Sequence, residues 1–292
     1  MTDGSFFRTY IDVVAPLFVL SLIFYPLEQV APAERNQSAA KRFFNLVYMP
    51  LILALLLLLG PFFSLIYQLQ QYILSLVGGG GFLLKLIDQK LINQSGWVAQ
   101  LLFAVSFAMV WDLYQYWMHR LQHTLPFLWE THKFHHSDTA LNSSTAARTH
   151  FLSHLLFFAS YLIVVMLIGA QTPHPVATFV LFKLWGFFNH MNVRLSLGPL
   201  TPIVSGPQWH RIHHSLQPKH HDKNFAAFFP FIDILFGTYY SPRKGEYPAS
   251  GLFDKEDTGD LWQATVSPFC AWYKTTVSQF SKCKRRLNAI FR

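Results

Sequence analysis

Charged residues are scarce in this chain. Only 13% of its 292 residues are Asp, Glu, Lys or Arg, whereas 52% are hydrophobic. Three long stretches, residues 43–84, 91–111 and 149–182, contain no charged residue. A membrane-spanning helix needs about 20 predominantly apolar residues, and a core helix of a soluble protein rarely runs so far without a polar face. The scarcity of charge therefore favours an integral membrane protein over a soluble enzyme.

Cysteine is also scarce, since only Cys270 and Cys283 are present. Two such residues make no plausible disulfide framework and suit a reducing compartment. The net charge is +8, but the basic residues are scattered and nothing resembles a nucleic-acid-binding module. We therefore expect no nucleic acid as a partner and attribute the positive charge to a surface that faces the anionic headgroups of a lipid bilayer.

The apolar segments predict the membrane topology. Residues 13–27, 46–68 and 97–118 each form one apolar segment, and residues 151–189 are long enough for a hairpin of two helices that turns at "GAQTPHP". A glycine-rich stretch, "LVGGGGFLL", reads as a flexible break before the third segment. The sequence thus predicts an all-α integral membrane protein with five transmembrane helices, or four if the first helix is only interfacial.

Basic residues predict the orientation of these helices. With five crossings, one side of the membrane receives most of the Lys and Arg residues of the short loops, namely Arg35, Lys41, Arg42, Arg120, Lys133 and Arg148. The positive-inside rule makes this side cytoplasmic. From about residue 198 the chain becomes more polar, which predicts a cytoplasmic, histidine-rich helical cap. We divide the chain into N-terminal membrane helices (residues 1–96), a core with the histidine motifs (97–240) and a C-terminal cytoplasmic tail (241–292).

Histidines are clustered in this core. The fourteen histidines of the chain include three close-spaced motifs: "HRLQH" with His119 and His123, "HKFHH" with His132, His135 and His136, and "HRIHH" with His210, His213 and His214. On a helix, positions i, i+3 and i+4 lie on one face. Such grouped imidazoles need a partner that binds their neutral form. One metal ion uses three or four of them, so eight predict two metal ions, and the absence of thiolate allows iron, copper, manganese or zinc.

Three further residues are candidates for the same site. Asp112 shares a helical stripe with His119 and His123, so we expect its carboxylate to orient the second ring nitrogen of a ligand. The alternative for Asp112 is a helix-end residue that reaches water. His190 lies at the end of the last predicted membrane helix, bracketed by amides in "NHMN", and is predicted as a ninth ligand. His150 is expected to line the site without binding metal.

The order of these motifs resembles a known family. HRxxH, HxxHH and HxxHH, followed by "DKNF" and "FGTYY", are similar to the fatty acid hydroxylase and sterol desaturase superfamily over residues 112–240. The resemblance implies that the eight motif histidines bind two iron ions on the cytosolic side. It also implies that O2 and two electrons are used there to hydroxylate or desaturate a C–H bond of a lipid such as a sterol or fatty acyl lipid. Relatives commonly have His-x-Asn where this chain has His190 and Asn192.

The chain departs from the family pattern at several positions. Many members have proline and glutamate where "RTHFLS" has Phe151 and Ser153, and the ether-lipid branch has an acidic residue in place of Thr124. The "HPGG" haem-binding motif of a fused cytochrome b5 domain is absent from this sequence. The resemblance therefore implies a separate electron donor, of the cytochrome b5 or ferredoxin type with a reductase.

Two other classes of function compete with this interpretation. A metal-binding or metal-transporting membrane protein without oxidative chemistry would need ionisable residues along its membrane helices. The predicted spans are nearly free of them, apart from Asp112 and His154 near helix ends. A protein that binds haem through two histidines would explain one pair of ligands but would leave the HxxHH triplets redundant.

Overall fold

The computed structural model describes residues 3–76, 78, 96–168, 174–253 and 260–290. Within these ranges the regular structure is helical and no strand is present, and Ser215 and Ser250 form an isolated antiparallel bridge. The predicted all-α fold class is therefore confirmed for the part of the chain that is described.

The described α-helices are named here in the order of the chain. They are α1 (Asp3–Val30), α2 (Ala39–Leu58), α3 (Gly60–Leu76), α4 (Trp97–Thr124), α5 (Pro126–His136), α6 (Phe151–Ile168), α7 (His174–Asn189), α8 (Pro207–His213), α9 (Phe231–Leu235) and α10 (Leu261–Ile290). Three 3₁₀ helices, Ser143–Ala147, Gly198–Leu200 and Pro218–His220, lie in the connections.

Several helix boundaries differ from the sequence prediction. Helix α1 and the α2–α3 pair extend beyond the predicted residues 13–27 and 46–68 at both ends, and proline explains two other differences. The single kinked helix predicted over residues 46–68 is divided into α2 and α3 at Leu59, shortly before Pro61. The helix predicted over residues 97–118 continues to Thr124 and ends where Leu125, which precedes Pro126, adopts an extended conformation. A proline ring disfavours helical geometry in the residue before it, which explains Leu125. Pro61 has no N–H to continue the hydrogen bonds of α2, but proline is tolerated in the first turn of a helix, where it lies in α3. Most of "LVGGGGFLL" and of the predicted "GAQTPHP" turn lies outside the described residues.

Among the described residues, two helices are long and apolar enough to cross a membrane, α2 and α4. Segments Phe18–Val30 and Phe151–Val164 are apolar but shorter. The first half of α4 exposes large apolar side chains, with Leu102 at 63% exposure, as expected of a surface that faces lipid. The count of four to five crossings stays a prediction.

Two apolar clusters position the helices that carry histidines. One cluster joins α4 to α6 and α7 through Phe107, Trp111, Val164 and Phe182. The other joins α4 to α8 and to the segment before α9, and its buried members are Tyr116, Trp209, Phe225, Ala226 and Ile232. Since both clusters lie on α4, this helix is the common support of the site.

A buried glutamate joins the N-terminal helices to the same end of the molecule. Glu28, at the end of α1, is fully buried. Its Oε1 accepts N–H bonds from Ser143 and Asn192, and its Oε2 lies 2.6 Å from Nη1 of Arg42 on α2. The polar ends of α1 and α2 therefore meet the connections that follow α5 and α7.

Candidate metal centre

Nine histidine side chains converge at the polar end of α4. Their nitrogens form two groups, and within each group the candidate ligand atoms all lie within 4.8 Å of one another. The first histidine group is His119, His123, His132, His136 and His213, and the second histidine group is His135, His190, His210 and His214. The structure thus brings together all nine histidines that the sequence indicates as ligands.

Each HxxHH motif contributes to both groups. In α5 the i and i+4 residues, His132 and His136, belong to the first group, and the i+3 residue, His135, belongs to the second. In α8 and its C-cap this is reversed, because His210 and His214 belong to the second group and His213 to the first. The rings of His136 and His214 stack with centroids 4.4 Å apart. Two such motifs facing each other therefore produce two adjacent sites.

The distances between ring nitrogens fit shared metal ligands. Nε2 of His136 lies 3.1 Å from Nε2 of His123 and 3.1 Å from Nε2 of His132. Nε2 of His190 lies 3.1 Å from Nε2 of His135 and from Nε2 of His210. Two nitrogens about 2.1 Å from one metal ion, and at right angles to each other, are about 3 Å apart. Both groups have the spacing that a metal ion requires.

Backbone carbonyls determine which nitrogen faces the centre. Nδ1 of His119 donates to the carbonyl of Phe225 at 2.8 Å, and Nδ1 of His213 donates to that of Lys223 at 2.8 Å. A carbonyl oxygen only accepts, so Nδ1 carries the proton and Nε2 keeps its lone pair. Nε2 of both histidines is buried and has no hydrogen-bond partner among the described residues. The same holds for both ring nitrogens of His214, and such orphaned acceptors fit a metal ion.

The second histidine group is oriented in the same way. His135 Nδ1 donates to the carbonyl of Arg148 at 3.2 Å, and His190 Nδ1 donates to that of Gly186 at 2.6 Å. Burial, and after it the neighbouring imidazoles, holds the pKa of His135 and His214 well below the usual 6.5. These imidazoles are therefore neutral at pH 7, which is the form that binds metal.

The segment Phe225–Phe229 is held by two buried aspartates. Asp112 accepts N–H bonds from Ala227, Phe228 and Phe229 at 2.8, 3.0 and 2.6 Å. Asp233 accepts those of Phe225 and Ala226 at 2.7 and 2.8 Å. Asp112 was expected to bond an imidazole directly, whereas its carboxylate binds backbone amides and acts on His119 only through the Phe225 carbonyl. Asp233 was missed, although an aspartate inside the apolar "FIDILFG" was a usable signal.

The "HDKNF" segment shapes the support of His213. Asp222 and Asn224 have φ values of 55° and 63°, in the left-handed region that Asn and Asp tolerate better than most residues. Asn224 Nδ2 donates to the Trp209 carbonyl, which anchors this turn to α8. The Lys223 carbonyl between them accepts from His213. Asp222 Oδ1 also lies 3.5 Å from Nδ1 of His123, so one candidate ligand has a carboxylate next to its second ring nitrogen.

A buried polar network supports His135. Arg148, whose carbonyl accepts from His135, donates from Nη2 to Ser137 Oγ at 2.6 Å and from Nη1 to Asn45 Oδ1 at 3.0 Å. Asn45 in turn donates to Asp138 at 2.9 Å. Sequence reasoning did not identify this network, because its members are far apart along the chain and each looks ordinary alone.

Other histidines lie outside the two groups. His150 Nε2 donates to the Thr265 carbonyl on α10 at 2.9 Å, and its Nδ1 accepts the N–H of Leu152. This ring therefore contacts α10 instead of either group. His220 is buried beside Ser215 and Glu246, as a hydrogen-bonded structural residue would be.

One cavity adjoins the centre, and another lies farther along α4. The first, of about 470 Å³, is lined by His123, His136 and His213 of the first histidine group together with Trp129, Lys133 and Asp222. The second, of about 610 Å³, lies between the apolar helices. Its walls are mainly aromatic, with Phe63, Trp111, Phe157 and Tyr161, but they also include Gln115, Thr149, His154 and Lys183. Gln115 precedes His119 by one helical turn on α4. The second cavity therefore runs along the apolar part of the same helix that carries candidate ligands.

Two groups of buried neutral imidazoles, at the end of helices apolar enough to cross a membrane, define a membrane protein with a histidine-rich metal centre. The family described as fatty acid hydroxylase matches residues 104–238, and these include all nine histidines. This segment, slightly less than half of the chain, is similar to the fatty acid hydroxylase family. The resemblance inferred from the order of the histidine motifs is thus confirmed.

Named relatives each match about half of the chain. Alkylglycerol monooxygenase of Danio rerio is 34% identical over 152 residues, which are 52% of this chain and 33% of that protein. Ornithine lipid hydroxylase OlsE of Rhizobium tropici is 32% identical over 154 residues, or 53% and 46%. Delta(7)-sterol-C5(6)-desaturase of Nicotiana tabacum is 23% identical over 155 residues, or 52% and 54%. The matched segment spans only a third to about half of each relative, and no solved structure matches the chain.

Proposed function

We propose that this protein is an O2-dependent di-iron oxidoreductase that hydroxylates a C–H bond of a membrane lipid. The observation that carries the proposal is the pair of histidine groups, in which buried nitrogens without partners face a common centre. Their donor set is imidazole alone, which suits iron, zinc, copper or manganese. Among these, the redox metals can take part in the chemistry that the names of the relatives describe.

The protein would hold the ions in place through the two histidine groups. His119, His123, His132, His136 and His213 would hold one iron, and His135, His190, His210 and His214 would hold the other. Bound iron supplies the reduction of O2 in a reaction that balances as RH + O2 + 2e⁻ + 2H⁺ → ROH + H2O. The carbonyls behind His119, His135, His190 and His213 keep those rings oriented, and burial keeps the imidazoles neutral.

A lipid substrate is supported by the second cavity. Its volume of about 610 Å³ and its aromatic walls suit an apolar chain or ring system, and Gln115 brings its wall to within one turn of His119. The relatives more than 30% identical are a monooxygenase and a hydroxylase, whereas the sterol desaturase is only 23% identical. For this reason we propose hydroxylation rather than desaturation.

The topology that we propose has four to five crossings with the metal centre on the cytoplasmic side. Basic residues at the polar ends of the helices favour this orientation. Two of these basic residues lie near the metal centre. Arg42 forms an ion pair with Glu28, and the carbonyl of Arg148 accepts a hydrogen bond from His135. A separate donor of the cytochrome b5 or ferredoxin type, with a reductase, would deliver the two electrons.

Metal analysis and lipid analysis together test the proposal. Purified protein should contain two metal ions per chain, with iron in the active form, although zinc can replace ferrous iron because it binds the same ligands more tightly. Membranes with the protein, but not with His135→Ala, should accumulate a lipid heavier by one oxygen atom when O2 and reductant are supplied. Well-folded protein with one metal ion or none would refute the di-metal centre, and a Soret band would indicate haem instead.

A further inference from the structure

Helix α10 has an apolar stripe that the rest of the molecule does not cover. Trp262, Phe269, Tyr273, Val277 and Phe280 recur at spacings of seven, four, four and three residues, so they share one face of the helix. They are 72, 44, 71, 46 and 74% exposed. Large aromatic side chains in a continuous exposed stripe indicate a surface that meets a partner or a membrane.

The contacts of α10 with the rest of the molecule are confined to its first half, whereas its second half projects. Ala264 is fully buried, and Trp272 stacks on Phe127 of α5 with ring centroids 4.1 Å apart and donates from Nε1 to the Phe127 carbonyl. From Tyr273 to Ser281 every side chain is exposed. This second half is amphipathic, although it extends beyond the body of the protein.

The charge of α10 argues for an anionic lipid surface. Its thirty residues include five basic residues and no acidic one, and four of the five lie in "KCKRR" at residues 282–286. Two copies of such a helix would repel each other, whereas anionic headgroups attract it. A helix with Trp and Phe on one face and basic residues elsewhere is typical of those that lie in the membrane interface.

The position of α10 relative to α4 agrees with a location in the membrane interface. Helix α4 has 28 residues, so at 1.5 Å per residue it is about 42 Å long, whereas the hydrocarbon core is about 30 Å thick. Its polar end, which carries His123, therefore reaches the headgroup region. Helix α5 begins there, after Leu125, and α10 docks on α5 through Phe127.

We propose that α10 is an interfacial helix whose stripe of Trp262, Phe269, Tyr273, Val277 and Phe280 lies in the boundary between headgroups and acyl chains. Its basic end at residues 282–286 contacts anionic headgroups. The residues predicted as a cytoplasmic tail thus form a second attachment to the membrane, and this attachment holds α5, with its HKFHH motif, at the membrane surface.

Spin labels on the full chain in lipid nanodiscs test this placement. In a background with Cys270→Ser and Cys283→Ser, one label at a time is attached at Val277 or Phe280 on the stripe and at Ser278 on the opposite face. Collision with O2, which enters membranes, should be high at Val277 and Phe280, and collision with a water-soluble nickel chelate should be low. Ser278 should show the reverse.

A label at Leu102 on α4 serves as the membrane reference. If the stripe is as accessible to the nickel chelate as Ser278 is, the helix lies in water and the proposal is wrong. If the stripe is closed to both reagents, a protein partner or a second copy covers it, and the proposal is equally wrong. If Leu102 itself is accessible to the nickel chelate, α4 does not span the membrane and the argument from its length fails.

Proteolysis tests the basic end with matched variants. Trypsin should cleave within residues 282–286 several-fold more slowly in nanodiscs of phosphatidylcholine mixed with phosphatidylglycerol than in phosphatidylcholine alone. Phe280→Glu should remove most of this protection, whereas Ser278→Glu, which adds the same charge on the opposite face, should keep it. Equal protection in both lipids, or equal loss in both variants, would overturn the proposal.

Discussion

Replacing Asp112 by Asn tests how the protein orients a metal ligand through its backbone. Oδ1 of Asp112 accepts one amide N–H and Oδ2 accepts two, and the side chain is fully buried. In the variant an NH2 group replaces one of these oxygens, so at least one amide loses its acceptor and faces a donor. A buried amide without an acceptor costs about 1–3 kcal/mol, and the remaining bonds lose their charge assistance.

We therefore expect Asp112→Asn to lower the free energy of unfolding by about 2–4 kcal/mol, because the loss of charge assistance adds to the cost of about 1–3 kcal/mol for one amide without an acceptor. The Phe225 carbonyl should shift with its segment and release His119 Nδ1, so metal retention or activity should fall about 10- to 100-fold, as for other groups that orient metal ligands.

The assay is metal content by elemental analysis during dialysis against a chelator, together with the midpoint of thermal unfolding. Asp233→Asn should behave similarly, since Asp233 holds the adjacent amides of the same segment. Asp260→Asn, at an exposed position before α10, is the control and should change neither quantity. If Asp112→Asn keeps both its metal and its thermal midpoint, the carboxylate does not position His119 and the reasoning fails.

The remaining predictions address the ligands, the pH dependence and His150. His135→Ala and His213→Ala should each abolish activity and weaken a different metal site, because they belong to different groups, whereas His221→Ala, at an exposed position, should retain activity and two metal ions by elemental analysis. The buried histidines have lower pKa values in the folded protein than in the unfolded chain, so the unfolded state binds more protons as the pH falls. Stability and metal content should therefore be highest above about pH 6.5 and decrease below it. Thermal unfolding between about pH 8 and about pH 5 would measure this dependence. Stability that increases on acidification over that range would contradict the buried, neutral state. His150→Ala should leave two metal ions in place but lower the free energy of unfolding by about 1–3 kcal/mol, since it removes two hydrogen bonds, one to the Thr265 carbonyl and one from the Leu152 N–H. Loss of a metal ion would instead mean that His150 is a ligand.

Local patterns accounted for much of the site before any tertiary structure was considered. The i, i+3, i+4 spacing of His132, His135 and His136 depends only on helix geometry, and buried imidazoles in such number require a metal whatever the fold. The same reasoning indicated His190, because the end of a membrane helix returns to the level of His123. Helix ends were less predictable, since the effect of Pro61 and Pro126 depends on whether neighbouring backbone groups find other partners.

The sequence alone determined that the chain is apolar enough for a membrane, predicted the helical structure that the described residues have, and indicated eight to nine histidines as a candidate metal site. Only the tertiary structure decided how these histidines divide into two groups, since each HxxHH motif gives residues to both. It also decided which groups orient the rings: backbone carbonyls of Phe225, Lys223, Arg148 and Gly186, and not Asp112 directly. Every residue carries a carbonyl, so no sequence pattern distinguishes the few that packing brings within hydrogen-bond distance of a ligand.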